Sequence, residues 1–317
     1  MDRILVTGGA GFIGSNFVRH LLDTTACKVT NLDKLTYAGN LSNIKDLRGE
    51  KRHKFIRGDI RNRKLVGSLV KKADAVVNFA AESHVDRSIQ TPSVFVESNV
   101  LGVQVLLEAC RRFGVRFEQI STDEVYGSRV EGSFAETDLL NPSSPYSASK
   151  AAADLLVNAY HVTYGFEVTV TRSTNNYGPN QHPEKFIPRL ITNAVRGKRL
   201  PIYGTGENVR DWIFAEDNCR AIHMVLEKGE KGQIYNIGGG NERKNVEIAK
   251  EVLHRLALPE AMLEFVRDRP GHDFRYSLDC AKIHRLGWKP QVGFEDGLQK
   301  TIDWYTANQW WWRRLVD

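Results

Sequence analysis

A short β-rich run, Arg3-Ile-Leu-Val-Thr7, leads straight into Gly8-Gly-Ala-Gly-Phe-Ile-Gly14. An apolar helical pattern follows through Phe17, Val18, Leu21 and Leu22. Strand, glycine turn and helix in this order constrain the chain more than any other stretch. Gly9, Gly11 and Gly14 fit G-x-G-x-x-G, and Gly8, Gly11 and Gly14 fit G-x-x-G-x-x-G. Glycines permit the tight turn and let the backbone approach a pyrophosphate at the helix N-terminus. A glycine motif alone is weak evidence; the strand before it and the helix after it give it weight. The next strand, Lys28 to Asp33, ends in a carboxylate at about the spacing of a ribose-binding acid. A carboxylate there accepts from a free 2′-hydroxyl and repels a 2′-phosphate, which favours NAD over NADP. Lys34 is a basic neighbour that could offset that charge, and Asp33 could instead be a cap or turn residue.

Further β-rich runs follow at Lys54 to Asp59, Ala75 to Phe79, Phe117 to Thr122 and Glu167 to Arg172. Helical patterns stand at Val94 to Arg112 and Tyr146 to Tyr164. This alternation predicts an α/β protein: a Rossmann-type doubly wound parallel sheet with a smaller mixed α/β C-terminal substrate lobe. Residues 1–172 form the expected NAD-binding domain, and 173–317 form mainly the substrate lobe, interleaved with the sheet. Ligands of such sheets lie outside the carboxyl ends of the strands. Gly8 to Gly14, Asp33, Ala80 to His84, and Thr122 to Glu124 all fall there, and Asp59 and Ile60 are expected near an adenine edge.

The chemistry-bearing stretch runs from Gln119 to Lys150. Thr122, Asp123 and Glu124 close a strand, and two adjacent carboxylates can supply a separate acid and base. Ser143 or Ser144 caps the next helix, with Pro145 in its first turn. Tyr146 and Lys150 share one face of that helix. A fixed ammonium beside a phenol favours the phenolate, so Tyr146 is the expected general base and Lys150 is expected to lower its pKa. The opposing reading is a surface Tyr/Lys pair and a solvated acidic turn.

A formal charge of +6 suits an anionic ligand, but no Lys/Arg block resembles a nucleic-acid arm. Cys27, Cys110, Cys219 and Cys280 are widely spaced, so neither a metal site nor a disulfide framework is expected. No leader and no apolar run long enough to span a bilayer is expected, which points to a cytoplasmic protein. Beyond Arg172, Ser173 to Pro188 is polar and carries Asn175, Asn176, His182 and Lys185. Long irregular stretches are more often functional than accidental. Arg210, Asn245, Arg269 and His272 are candidates for an anion site, although scattered Arg and His are usually solvated. Trp310-Trp-Trp312 reads as docked packing or a contact surface.

Nearly the whole length resembles the nucleotide-sugar branch of the extended short-chain dehydrogenase/reductase superfamily, and within it the dTDP-glucose 4,6-dehydratase family. The residues that carry this are the glycine turn, Leu32 to Asn40, Ala80 to Ser88, Ser121 to Gly127, Tyr146 to Lys150 and Asn175 to Pro179. Pro183 to Lys185, Leu200 to Gly204, Val209 to Trp212, Tyr235 to Gly239 and Asp268 to Asp273 continue it. The Thr-Asp-Glu run is the most specific of these, since epimerases of the branch usually carry small residues at those positions. Departures are modest: Arg172-Ser-Thr174 replaces a more usual Cys-Ser-containing lead, and the segment from Leu256 to Phe265 is short.

The resemblance implies dehydration of dTDP-glucose, with UDP-glucose a second candidate, by a homodimer that uses tightly bound NAD and no metal. It implies Thr122, Asp123, Glu124, Tyr146 and Lys150 as catalytic residues. Implied NAD contacts are Gly8, Gly11, Phe12, Ile13, Gly14, Asp33, Lys34, Leu35, Thr36, Asp59, Ile60, Ala80, Ala81, Glu82, Ser83, His84, Ser98, Tyr146, Lys150 and Asn176. Implied substrate contacts are His84, Thr122, Asn175, Lys185, Phe186, Pro201, Ile202, Tyr203, Arg210, Asn245, Asp268, Arg269, Pro270, Gly271 and His272. An epimerase or decarboxylase of the same fold, needing Tyr146 but not Asp123 and Glu124, is the nearest alternative. A catalytically idle NAD-binding regulator is a third, and it would have no use for Thr122, Tyr146 and Lys150.

Overall fold

Short β-branched runs separated by amphipathic helices build one parallel sheet and return the chain to the same edge each time. The computed structural model describes residues 1–268 and 270–316. The chain opens with β1 (Arg3–Thr7), α1 (Phe12–Thr24), β2 (Lys28–Asp33), β3 (His53–Arg57), α2 (Arg63–Val70) and β4 (Ala75–Asn78). It continues with α3 (Val85–Gln90), α4 (Pro92–Phe95), α5 (Gly102–Phe113), β5 (Arg116–Thr122), α6 (Pro145–Tyr164) and β6 (Val168–Ser173). Then come β7 (Asn175–Tyr177), α7 (Phe186–Val195), β8 (Leu200–Tyr203), β9 (Val209–Phe214), α8 (Ala215–Lys228) and β10 (Gln233–Ile237). The last elements are β11 (Glu242–Lys244), α9 (Asn245–Arg255), β12 (Leu263–Val266), α10 (Ala281–Arg285), α11 (Phe294–Ala307) and α12 (Gln309–Val316).

Seven strands lie in the order β10-β6-β5-β4-β1-β2-β3, all parallel. The order reverses between β1 and β4, which opens a crevice at the carboxyl ends of the strands. Register pairs Thr7 with Asn78, Asp33 with Arg57, and Thr122 with Ser173, so these ends finish near one level. α1 and α8 cover one face through Phe17, Leu21, Ile222 and Val225; α2, α5 and α6 cover the other through Val66, Leu106 and Val157. The doubly wound expectation therefore holds. The smaller lobe combines a three-stranded sheet (β11-β9-β7), the pair β12-β8, and α7, α9, α11 and α12 around their own apolar core.

α6 starts where the sequence signals predict. Ser144 accepts from the Ser147 amide, Ser147 returns the bond, Pro145 occupies the first turn, and Gly165 ends the helix at φ +61°. The helix expected over Val94 to Arg112 is interrupted by a π-turn at Val96–Leu101. One expectation needs correction. Pro92–Phe113 is a run of 22 residues that is long and apolar enough to cross a membrane by length and composition. Its apolarity has a local cause: Val103, Leu106, Leu107 and Cys110 are buried in the core beneath the sheet.

Candidate functional site

The carboxyl ends of β1, β2, β4, β5 and β6 open onto one cavity of about 290 Å³. Gly8, Gly11, Phe12, Ile13, Gly14, Asp33, Lys34, Thr36, Asp59, Ile60, Ala80 to Ser83 and Ser98 line one end. Thr122, Asp123, Glu124, Tyr146, Lys150, Asn175, Asn176 and Lys185 line the other.

The first end has the shape of a dinucleotide cradle. Gly8 sits at φ +69°, and a Cβ there would come 2.5 Å from the Ala80 nitrogen. A Cβ on Gly14 would come 2.3 Å from the Gly8 carbonyl oxygen. α1 begins at Gly11 with no side-chain cap and no acidic residue in its first turn, so its amides are available to phosphate oxygens. Asp33 accepts from the Ala10 amide (2.9 Å) and the Leu35 amide (2.7 Å). Burial raises its pKa above the ordinary carboxylate range, and the two amides pull it back. Leu35 itself turns into the left-handed region (φ +59°) and contributes its amide rather than a cavity wall. Lys34 is committed to Asp59 at 2.9 Å, which answers the question its charge raised for a 2′-phosphate. Burial would raise Asp59, but Arg61 and Lys34 outweigh it and hold the carboxyl at about 2. These features fit NAD.

At the other end, Asp123 is 3% exposed and Tyr146 is 8% exposed. Burial and the neighbouring Glu124 drive the Asp123 pKa well above the usual range, which favours its protonated form. Asp123 Oδ2 is buried with no hydrogen-bond partner among the described residues. The Glu124 amide donates to Thr122 Oγ1 at 3.3 Å. Tyr146 departs from expectation. Burial and Glu124 push its phenol well above the ordinary tyrosine value, with only a hydrogen bond to Thr122 pulling it back. The Lys150 ammonium donates to the Ile120 carbonyl instead of serving the phenol. Burial lowers Lys150 to about 8, and Asp154 opposes that shift. A common helix face put Tyr146 and Lys150 on one wall but did not settle where the ammonium points.

The remaining expected contacts scatter around the mouth. Lys185 donates to the Ser83 carbonyl at 2.7 Å, and Asn175 Oδ1 is buried with no partner among the described residues. Asn176 is already engaged by Ser173, Thr174 and Asn218. His84 caps α3 and stands 3.8 Å from Glu184, outside the cavity wall. Tyr203 donates to Asp86 at 3.4 Å and packs edge-on to His272, which is 2.7 Å from Asp268. Gly271 lies in the same turn, with Pro270 before it. Phe186 stacks with Trp212 at the start of α7, and Asn245 opens α9 with its amide on the Asn208 carbonyl. Arg210 is 5% exposed, donates to the carbonyls of Val209, Asp273 and Phe274, and stacks on Tyr276. None of Phe186, Tyr203, Arg210, Asn245, Asp268 and His272 lines the cavity. Ile202 is fully buried in the smaller lobe's core, so only its main chain can meet a ligand; Pro201 beside it is partly buried. Arg269 lies outside the described residues.

Several wall residues were not singled out from the sequence. Tyr37 lies under the Arg87 guanidinium (3.9 Å) and edge-on to His182, while Glu184 pairs with Arg87 at 3.3 Å. Asn99, in the π-turn, accepts from the Glu82 amide and donates to Ser149, which braces the loop after β4 against α6. The π-turn had no sequence signal, whereas Tyr37 and Glu184 stood inside quoted motifs.

Comparison with known proteins agrees with this geometry. Residues 5–301 match the family described as GDP-mannose 4,6 dehydratase. The low-salt glycan biosynthesis protein Agl12 of Haloferax volcanii is 53% identical over 96% of this chain and 99% of its own. A dTDP-glucose 4,6-dehydratase of Streptomyces niveus is 52% identical over 99% of this chain and 95% of its own. The crystal structure of the dTDP-glucose 4,6-dehydratase DesIV from Streptomyces venezuelae, with NAD and a dTDP ligand bound, superposes at a TM-score of 0.97. It is 52% identical, covering 99% of each chain. The chain belongs to the GDP-mannose 4,6 dehydratase family of nucleotide-sugar enzymes, and within it to the dTDP-glucose 4,6-dehydratases.

Proposed function

We propose that Thr122, Asp123, Glu124, Tyr146 and Lys150 divide among them the reaction of this family, the NAD-dependent conversion of dTDP-glucose to dTDP-4-keto-6-deoxyglucose and water. The observation that carries the reading is a buried Asp123 beside a more exposed Glu124 on the wall shared by Tyr146 and Thr122. NAD, when bound, supplies a cationic ring that accepts a hydride and returns it within the turnover. Positive charge is what Tyr146 needs, since burial and Glu124 otherwise keep its proton on. Tyr146 takes the proton of the 4-hydroxyl while Thr122 hydrogen-bonds the 4-oxygen. The ketone acidifies the hydrogen on carbon 5, and Glu124 removes it. Asp123 protonates the departing 6-hydroxyl, which leaves as water. The returned hydride enters carbon 6 and Glu124 gives its proton back to carbon 5, which completes the 4-keto-6-deoxy product. Lys150 steadies the ribose of the cofactor. An epimerase would need Tyr146 and would leave the Asp123 and Glu124 carboxyls without a task.

Lys185, Asn175, Tyr203, Arg210, Asn245 and the turn Asp268 to His272 are read as the nucleotide-sugar side. UDP-glucose shares the diphosphate and sugar and is a second candidate substrate. Residues 1–172 serve as the NAD domain and 173–317 mainly as the sugar lobe, with α8 and β10 packed on the large sheet. A homodimer is supported by exposed apolar side chains near the neighbouring α5 and α6: Val96, Leu101, Leu155 and Val162. A cytoplasmic location accords with four free cysteines. Incubating the purified protein with dTDP-glucose and, separately, UDP-glucose, with water loss followed by mass spectrometry, tests the activity and the base preference. Interconversion of sugar epimers without water loss would sink the dehydratase assignment, and a monomer in sedimentation would sink the dimer.

A further inference from the structure

We propose that Trp311 and Asn43 are positioning residues for NAD, through which the C-terminal helix of the smaller lobe holds the glycine turn from behind. Trp311 and Asn43 are each 1% exposed. The Trp311 indole N–H donates to Asn43 Oδ1 at 2.9 Å. An indole can only donate, so the oxygen of Asn43 must face it and the amide nitrogen must face away. That nitrogen donates to the Ala10 carbonyl at 2.9 Å. The Asn40 amide donates to the same carbonyl at 3.0 Å. On the other side of Ala10, its N–H donates to Asp33 Oδ2 at 2.9 Å. Ala10 lies between Gly9 and Gly11, so the peptide groups fixed in this way are those of the turn beneath α1.

Alanine has only a methyl group, buried here, and no side-chain hydrogen bond by which to anchor such a turn. Its position is therefore set by hydrogen bonds to its main chain, and one of them is oriented from α12. The segment carrying Asn43 is anchored on a second side as well. Arg19 of α1 donates to the Asn43 carbonyl and pairs with Asp46 at 2.6 Å. Arg314, on α12, donates to Ser42 and Asn40. A cofactor that accepts and returns its hydride in one turnover has no need to leave, and a preorganised turn suits tight retention. The inference rests on the reading that the Gly8 to Gly14 turn and Asp33 hold NAD.

Trp312 provides an internal control. It is fully buried in the same core, and its indole N–H donates to the Tyr305 carbonyl at 2.7 Å within the smaller lobe. Trp311→Phe and Trp312→Phe each remove one buried indole and one hydrogen bond, but only the first breaks the link to Asn43. The test compares them with Asn43→Asp and Asp33→Ala in the full-length protein. NAD affinity is measured by calorimetry after the nucleotide has been stripped, together with the gain in Tm on adding NAD. Loss of one oriented hydrogen bond on the turn predicts about tenfold weaker NAD binding in Trp311→Phe, with Trp312→Phe within about twofold of the parent. Equal NAD affinity in the two tryptophan variants would reduce the contact to packing and overturn the inference. If Trp311→Phe does not fold, Asn43→Asp decides. It still accepts from Trp311 but turns an acceptor toward the Ala10 carbonyl, so unchanged NAD affinity would again overturn the proposal. If Asp33→Ala binds NAD as well as the parent, the assignment of the turn itself fails, and the inference with it.

Discussion

Thr122 donates its hydroxyl to Asp123 Oδ1 at 3.1 Å, while the other oxygen of that carboxyl is buried without a partner among the described residues. The arrangement leaves one oxygen held and one unpaired, on a residue that lines the cavity. Burial and Glu124 both raise the pKa of this carboxyl, which suits it to giving a proton rather than taking one.

Asp123→Asn keeps the shape and the hydrogen bond but cannot protonate a leaving hydroxyl. Turnover should fall by roughly 100- to 10,000-fold, the usual share of a general acid. With Glu124 intact, solvent deuterium should still enter carbon 5 faster than product forms. Mass spectrometry of recovered sugar nucleotide reads this directly, and unlabelled substrate would contradict the assignment.

Glu124→Gln preserves size and removes the base for carbon 5. Oxidation at carbon 4 should proceed and stop, so absorbance of reduced nicotinamide should build up on the protein after mixing with dTDP-glucose. Full dehydration turnover in this variant would show that another group takes the proton.

Tyr146→Phe should block the earlier step. Neither reduced nicotinamide nor label at carbon 5 should appear, and the rate should drop by roughly 100- to 10,000-fold if the phenol is the base. A build-up of reduced nicotinamide equal to that of Glu124→Gln would remove Tyr146 from the oxidation.

Lys150 titrates at about 8 because burial disfavours its charge, with Asp154 opposing. Below that pH the ammonium is charged and can hold a ribose hydroxyl; above it the charge is lost. NAD affinity should therefore decline on the alkaline side from about pH 8. Asp154→Asn removes the group that supports the charge, so the decline should move to lower pH. A pH profile of NAD affinity that stays put in the variant would rule out this electrostatic link.

Arg172 and Asp154 form an ion pair at 2.9 Å with side chains 3% and 1% exposed, extended through Tyr126 to Asn236 and through Ser121 to β5. Arg172→Met strands a buried carboxylate and should cost about 3–5 kcal/mol of stability. The double variant Arg172→Met/Asp154→Asn should recover part of that loss. Urea unfolding measures both, and simple additivity of the two single losses would argue against the pairing.

The glycine turn, Asp33 and the strand-end carboxylates were legible because each is written in a few consecutive residues: a turn that only glycine fits, an acid at a strand terminus, a Thr-Asp-Glu run. The Ser144–Ser147 capping box was legible for the same reason. Contacts between distant segments were not. Trp311 and Asn43 are 268 positions apart, and nothing in the tryptophan run names its acceptor. Arg172 stood out only as a departure from a family pattern, and its carboxylate lies on α6. The direction of the Tyr146 shift was missed because helical spacing fixes which face a residue occupies and not where a flexible ammonium reaches. Ile202 was named from motif membership, which does not distinguish a side chain that faces the ligand from one that faces the core, where its side chain lies.

β10 comes from sequence far beyond β6, yet it closes the large sheet on the β6 edge. A nascent chain that has emerged only as far as β6 therefore carries a bare strand edge, and the face that α8 will cover is still open. Pairing across that separation is a non-local contact, slow to form by chance and exposed to mispairing until it does. The large sheet cannot mature ahead of the small lobe during synthesis, because the residues that complete it arrive only after part of that lobe has been made.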